Sequence, residues 1–221
     1  EDLERFTQYF GPFGDDPFIA PIEGHPHIIE VKRAADEKAS VFAAAWHSDW
    51  SFQDTPPAGT ILHSKITPPE GGDTLFCNGY AAYDALSDET KAKIEGLNAI
   101  HSAALAYAPE GVYGDNDAKD RSMTIRAAPE ARNTKSHPIV RVHPETGRKT
   151  LFINPGYVRT VERLSDEEAF FLLIELYGVT HDERFVYRHK WQPDMLLMWD
   201  NRCTQHMATG GYDGHARLMH R

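Results

Sequence analysis

Two cysteines in 221 residues are too few for a disulfide framework, so a reducing, cytoplasmic setting is the expected one. Long apolar runs are missing as well. The longest, "AFFLLIEL" and "MLLMW", fall far short of the ~20 residues a membrane-spanning helix needs. The opening "EDLERFTQYF" is charged and amphipathic and does not follow the signal-peptide pattern. Positive charge is scarce: 23 Lys and Arg stand against 33 Asp and Glu, a formal net charge of −10. That balance excludes a general nucleic-acid binder, which needs a basic face for phosphates. It does not exclude a small anionic substrate, because a few local arginines can reverse the field inside a pocket. With 41% hydrophobic residues the chain is long enough for one packed domain over 1–221 and shows no second.

What is present is mostly strand and turn. "LERFTQYF" carries Leu3, Phe6 and Phe10 at helical spacing and predicts a short N-terminal helix. Short strand-like runs follow, among them "HIIEVK", "TILHSKI", "DTLFCN", "KTLFINP", "DMLLMWD" and "ARLMHR", bounded by turn formers such as Pro68-Pro69, Gly71-Gly72 and "TGGYDG". Two helices interrupt them. One covers residues 80–95 with a break at Ser87. The other is "SDEEAFFLLIELYG", where Ser165 and Glu168 have capping-box spacing and Gly178 can stop the helix. Residues 107–137 are rich in Gly, Pro, Asp and Asn without periodicity, which predicts a lid or mobile excursion. Many strands and few helices favour a mainly β fold, an antiparallel sandwich or jelly roll, over a parallel α/β sheet.

"WHSDWSF" sets His47 and Asp49 two apart inside an aromatic run. A buried carboxylate is costly unless it is paired, hydrogen-bonded or metal-bound. On a strand, residues i and i+2 share a face, so this imidazole and carboxylate would converge. Two ligands do not make a metal site, and a third must come from elsewhere. Of the other histidines, His25 and His27 are separated by a proline with no carboxylate near. His63, His101, His143, His189, His215 and His220 stand alone. An ordinary hydrogen-bonded or solvated histidine is the reading for most of these.

His206 differs in its surroundings, "MLLMWDNRCTQHMATGGYDGHARLMHR". From about residue 46 to its end the chain resembles the taurine dioxygenase (TauD/TfdA-like) family of iron(II)- and 2-oxoglutarate-dependent oxygenases. The resemblance is carried by "WHSDWSF", "PPAGTILHSKITPPEGGDTLFCNGYAAYDALS", "KTLFINPGYVRTVERLS" and "WQPDMLLMWDNRCTQH…YDGHARLMHR", in the family's order. It implies a double-stranded β-helix with a few flanking helices. It also implies that His47, Asp49 and His206 form the two-histidine, one-carboxylate face that holds Fe(II) and leaves positions for O2 and co-substrate. By family position Arg217, helped by the Thr74 hydroxyl, meets the far carboxylate of 2-oxoglutarate, for which a guanidinium is geometrically suited. Iron, Asp49, the 2-oxoglutarate dianion and Arg217 then sum to zero formal charge. Arg221, four residues beyond, implies a contact with an anionic group on the substrate.

Related halogenases replace the carboxylate with a small residue. Its presence as Asp49 favours hydroxylation, with release of succinate and CO2, and C–heteroatom cleavage where the hydroxylated carbon carries sulfur, oxygen or nitrogen. Taurine dioxygenases present a histidine before a proline ahead of the H-x-D, and an asparagine four residues before the first ligand. Here Ala20 precedes Pro21 and Ala43 takes the second place. Both departures remove polar groups a sulfonate would use, so an organic acid with an apolar body is expected rather than taurine. Trp50, Phe52 and Tyr80 are candidate pocket walls, although aromatics in a jelly roll are more often core. Cys77 and Cys203 read as small buried hydrophobes. Asp200 and Asn201 are expected to shape a turn, and Arg202 to be structural. A zinc hydrolase or cupin-like isomerase with the same three ligands, or a non-catalytic binding protein, are the rival classes. The expected partner is a small molecule, with neither nucleic acid nor membrane. Homo-oligomers are common in the family.

Overall fold

The computed structural model describes residues 1–221, the side chain of Ala118 apart. The helices are α1 (Asp2–Thr7), α2 (Gly79–Ala85), α3 (Asp88–Ile94), α4 (Ala104–Tyr107) and α5 (Asp166–Thr180). The strands are β1 (Pro21–Ile22), β2 (His25–Arg33), β3 (Gly59–Ile66), β4 (Thr74–Asn78), β5 (Asn98–Ser102), β6 (Thr134–Pro138), β7 (Val140–Val142), β8 (Lys149–Leu151), β9 (Val158–Val161), β10 (Val186–His189), β11 (Leu196–Asp200), β12 (Thr204–Ala208) and β13 (Arg217–His220). All pairings are antiparallel.

The main sheet runs β1-β2-β13-β3-β11 and faces a second sheet, β10-β4-β12. Between them lie Leu62, Trp199 and Met219 from the first and Phe76 from the second, all buried. This is the jelly-roll sandwich that many short antiparallel strands predict. A third sheet, β6-β5-β9, and the ribbon β7-β8 carry the helical layer. There α5 buries Ala169, Leu172, Leu173 and Leu176 against Ile94, Ala99, Ile139, Leu151, Ile153 and Val161.

Local chemistry explains the helix ends. Ser165 and Glu168 form the capping box, each accepting from the other's backbone N–H. The helix break falls at Leu86–Ser87, where the Ser87 hydroxyl accepts the Thr90 N–H and restarts the helix. Gly178 does not stop α5. It continues to Thr180, whose hydroxyl donates back to the Leu176 carbonyl. The 107–137 segment bonds to the N-terminal part of the chain through residues 122–126. Ile125 bridges Ile19, the Arg126 N–H donates to the Phe18 carbonyl, and the Ser122 N–H donates to the buried Glu37.

Behind the site a fully buried His101 bonds the Ser51 hydroxyl through Nδ1 at 3.0 Å. Burial, with His137 and Arg141 adding to it, holds its pKa down at about 3. The unfolded histidine titrates near 6.5, so below that pH the unfolded chain binds the extra proton. Stability should therefore fall as pH drops from about 6.5 towards 3, by up to about 1.4 kcal/mol per pH unit from this group. Urea unfolding between pH 7 and 5 should show a shallower slope for His101→Gln. An unchanged slope would remove His101 from the acid response.

Candidate active site

The stretch "WHSDWSF" is not a strand. His47 makes a single antiparallel bridge to His206, and residues 49–53 turn. In that bridge the His47 N–H donates to the His206 carbonyl at 3.0 Å and the His206 N–H returns to the His47 carbonyl at 2.8 Å. The two backbones are thus clamped, and the rings lie 4.2 Å apart between centroids. Directly after the bridge the chain reverses, with Trp50 in the left-handed region at φ +48°. Asp49 thus lies at the start of a turn, and strand alternation is not what brings it to the rings. Asp49 Oδ1 stands 3.7 Å from His47 Nε2 and 3.8 Å from His206 Nε2. The three ligand atoms lie within 4.8 Å of one another, and all three residues are buried.

The protonation states suit a cation at this point. Burial depresses both imidazoles, His206 to about 3, so both are neutral near pH 7. The His47 Nδ1 is 2.8 Å from the Ala45 carbonyl and must donate to it, which puts the lone pair on Nε2, towards Asp49. His206 Nδ1 is buried without a partner. Asp49 is opposed by burial, but Arg221, the two histidines and the Thr60 hydroxyl hold its pKa at about 2, so it is ionised. Two neutral nitrogens and one carboxylate oxygen, converging in a dry site, are a facial donor set for a divalent metal.

The second oxygen of Asp49 is fixed by residues the sequence did not single out for this task. Thr60 on β3 donates to Oδ2 at 2.6 Å. Asn201 donates to the Thr60 hydroxyl at 2.8 Å, and its own oxygen accepts from Trp199 Nε1 at 3.0 Å and the Asp49 N–H at 3.4 Å. Asn201 therefore does more than shape a turn. No motif announces Thr60; its signal is only its inward position on β3, beside Leu62.

Arg217 lies on β13 facing inward, 5% exposed. Burial works against its charge, with partial relief from Tyr212 and Asp73. Among the described residues no carboxylate forms an ion pair with it: Asp73 pairs instead with Arg188 at 3.0 Å, and Arg217 Nε has no partner. Gly72 is packed against it so closely that a Cβ there would sit 3.3 Å from Arg217 Nε and Cδ. Two residues on, the buried Thr74 hydroxyl accepts from Trp191 Nε1 at 2.9 Å, leaving its own hydrogen free to donate. A buried guanidinium without a counter-ion has the chemistry to receive an organic carboxylate, and the Thr74 hydroxyl lies two residues beyond the glycine packed against it.

Arg221 continues the β13 pairing, exchanging backbone bonds with Ile29, and turns inward like Arg217. It donates to Asp49 Oδ1 at 3.2 Å and to Asp16 at 2.8 Å. Trp50 flanks it, the guanidinium lying 5.2 Å from the ring centroid, and Phe52 packs with Tyr157 beside His47. Tyr80 is elsewhere, bonded to Thr146 and edge-on to His143, and does not line the site. Of the X–Pro pairs Asp16–Pro17 and Ala20–Pro21, the first places its carboxylate on Arg221, while the Ala20 N–H is bonded to the Thr124 carbonyl.

A second cluster, His143, Asp200 and Cys203, also has ligand atoms within 4.8 Å. There the His143 Nδ1 accepts the N–H groups of Glu145 and Thr146, so Nε2 carries the hydrogen and donates to Asp200 at 2.9 Å. Asp200 is further bound by Arg202. That arrangement is closed by its own bonds, and Arg202 is structural. Cys77 is buried, its thiol pKa pushed up to about 12.

Thr60→Val keeps the shape but strands Asp49 Oδ2 and the Asn201 amide. It should cost about 1–3 kcal/mol, read as a lowered urea midpoint, with Thr60→Ser close to the parent.

Comparison with known proteins agrees with this geometry. The family model "Taurine catabolism dioxygenase TauD, TfdA family" matches residues 1–221. An alpha-ketoglutarate-dependent 2,4-dichlorophenoxyacetate dioxygenase from Cupriavidus pinatubonensis is 40% identical over 84% of this chain and 61% of its own. An alkylsulfatase from Acinetobacter baylyi is 32% identical over 100% of this chain and 67% of its own. The crystal structure of a taurine dioxygenase from Burkholderia xenovorans superposes with a TM-score of 0.76 at 26% identity, covering 99% of this chain and 69% of that one. The chain thus spans about 61–69% of the length of these relatives. A match over every residue, on a sandwich that gathers His47, Asp49 and His206, places the chain in the TauD/TfdA family.

Proposed function

We propose that this chain carries the catalytic domain of an Fe(II)- and 2-oxoglutarate-dependent dioxygenase that hydroxylates a small anionic organic substrate. The observation that carries this reading is the unpaired guanidinium of Arg217, buried with the free hydrogen of Thr74 nearby. A zinc hydrolase or isomerase would use the same three ligands but would have no need of a buried arginine held open for a carboxylate.

In this reading His47, Asp49 and His206 hold the metal. Fe(II), when bound, supplies the capacity to couple oxidative decarboxylation of 2-oxoglutarate to hydroxylation of an unactivated carbon. The chain does the rest. The clamped backbones of His47 and His206 fix the two nitrogens. Thr60 and Asn201 keep one Asp49 oxygen occupied, so the other faces the metal. Arg217 and Thr74 bind the far carboxylate of 2-oxoglutarate and set the direction from which its keto acid end approaches. The aromatic wall of Phe18, Phe52, Tyr107 and Tyr157 excludes water from the reacting side. Arg221 is placed to meet an acid group on the substrate. Relatives of this chain carry the names of 2,4-dichlorophenoxyacetate, sulfate ester and sulfonate dioxygenases, substrates with an acid head on an organic body.

Anaerobic titration with iron(II) and 2-oxoglutarate tests the proposal, through the weak visible charge-transfer band of the chelate. The band should form with the parent protein and be lost in Asp49→Ala. Arg217→Ala should raise the 2-oxoglutarate concentration needed by at least about thirtyfold. Iron binding without the band would end the dioxygenase reading. An unshifted titration in Arg217→Ala would take that residue out of the co-substrate site.

A further inference from the structure

Arg221 does not stand alone. Its partner, Asp16, comes from the N-terminal segment before β1, and the two side chains are 5% and 12% exposed respectively. Asp16 Oδ1 accepts the N–H groups of Phe18 at 2.8 Å and Ile19 at 2.9 Å. Pro17 between them has no N–H to compete. Oδ2 accepts Trp50 Nε1 at 3.2 Å and Arg221 Nη2 at 2.8 Å. A carboxylate offers about four lone-pair sites, and these four donors fill them. Asp16 has nothing left to give a ligand, so whatever it does for the site it does through Arg221.

We propose that Asp16 is the positioning residue for Arg221, fixing the guanidinium so that its remaining N–H groups face the acid head of the substrate. One bond to Asp49 would leave a guanidinium free to pivot about that contact. A second anchor, through the other terminal nitrogen, sets the plane of the fork. Trp50 secures both ends, since its N–H donates to Asp16 while its ring flanks Arg221. Because the charge of Arg221 is already shared between Asp16 and Asp49, the head group is recognised by the direction of N–H groups more than by net charge. Orientation is then the property that decides affinity. The substrate half of this inference rests on the dioxygenase reading; the Asp16–Arg221 half does not.

The test begins on the protein without added metal. Nitrogen-15 NMR of the arginine side chains, with Arg221 assigned through Arg221→Lys, reports rotation of its guanidinium. Hindered rotation is expected in the parent, and rotation at least several-fold faster in Asp16→Asn, with Arg217 unchanged. Asp16→Asn keeps an oxygen for the Phe18 and Ile19 N–H groups and replaces the acceptor that holds Trp50 and Arg221 with an amide NH2; Asp16→Ser repeats the comparison if the first variant unfolds. A freely rotating Arg221 in the parent, or no change on substitution, overturns the proposal.

The second stage uses protein loaded with manganese(II) and 2-oxoglutarate, with 2,4-dichlorophenoxyacetate as the anionic probe. Asp16→Asn should weaken the probe about tenfold, leave 2-oxoglutarate binding unchanged, and have no further effect in an Arg221→Lys background. An equal loss in that background overturns a role acting through Arg221. No binding of the probe to the parent, with Arg221 held, overturns the assignment of its free N–H groups to an acid head. Failure to bind 2-oxoglutarate sinks the dioxygenase reading separately, and the rotation measurement still decides Asp16.

Discussion

Everything around the site answers to one constraint, the cost of keeping the Asp49 carboxylate ionised out of water. An isolated buried carboxylate would take up a proton instead. Here it stays charged because each oxygen has a dedicated environment. Oδ2 is saturated by Thr60, itself held by Asn201, and Oδ1 faces Arg221 and the two imidazoles. Burial keeps the histidines neutral, which leaves their lone pairs free for a cation. A site built this way presents one negative charge and two nitrogen lone pairs to a common point.

The sandwich makes that arrangement cheap to hold. Asp49 follows a backbone clamp, Thr60 lies in the main sheet, and Asn201 follows the edge strand β11. The donors that fix the carboxylate therefore sit on elements pinned by cross-strand bonds, and they do not rely on loop rigidity. Arg217 opens β13, the strand between β2 and β3, and Arg221 directly follows it, so both cations are delivered from the middle of the same sheet. Their fates differ because of what surrounds them. Arg217 meets Gly72 and an aspartate already engaged by Arg188, whereas Arg221 meets Asp16.

The H-x-D half of the metal-binding face was legible in the sequence because its residue types are costly to bury, whereas His206 came through the family resemblance. The H-x-D spacing, the glycines of "GGDT" and the arginines of "ARLMHR" each imply a reason before any coordinates. The strand count and turn residues led to the sandwich for the same reason. Period-two reasoning about His47 and Asp49 reached the right convergence by the wrong route: His47 makes a single bridge and Asp49 already lies in a turn, which has no signature in an aromatic run. Gly178 failed as a stop signal because α5 has a hydroxyl at Thr180 to close its last turn. Thr60, Asn201 and Asp16 were illegible as site residues because a threonine in a strand, or an aspartate before a proline, is ordinary. Only the tertiary pairing shows which lone pairs they fill. Tyr80 misled for the opposite reason, being an aromatic within a recognisable stretch but packed on the far side of β12's turn, against His143.

The reciprocal bond between His47 and His206 also bears on how the protein acquires its site. These residues lie near opposite ends of the described chain, so their clamp closes a very long loop and is among the contacts of highest sequence separation. No early, locally folded portion of the polypeptide can assemble the three donors. A nascent or half-folded chain therefore offers a metal at most two of them, without the dry pocket that neutralises the imidazoles. Acquisition of a redox-active ion is in this way tied to completion of the sandwich, and the fold acts as its own checkpoint against premature loading.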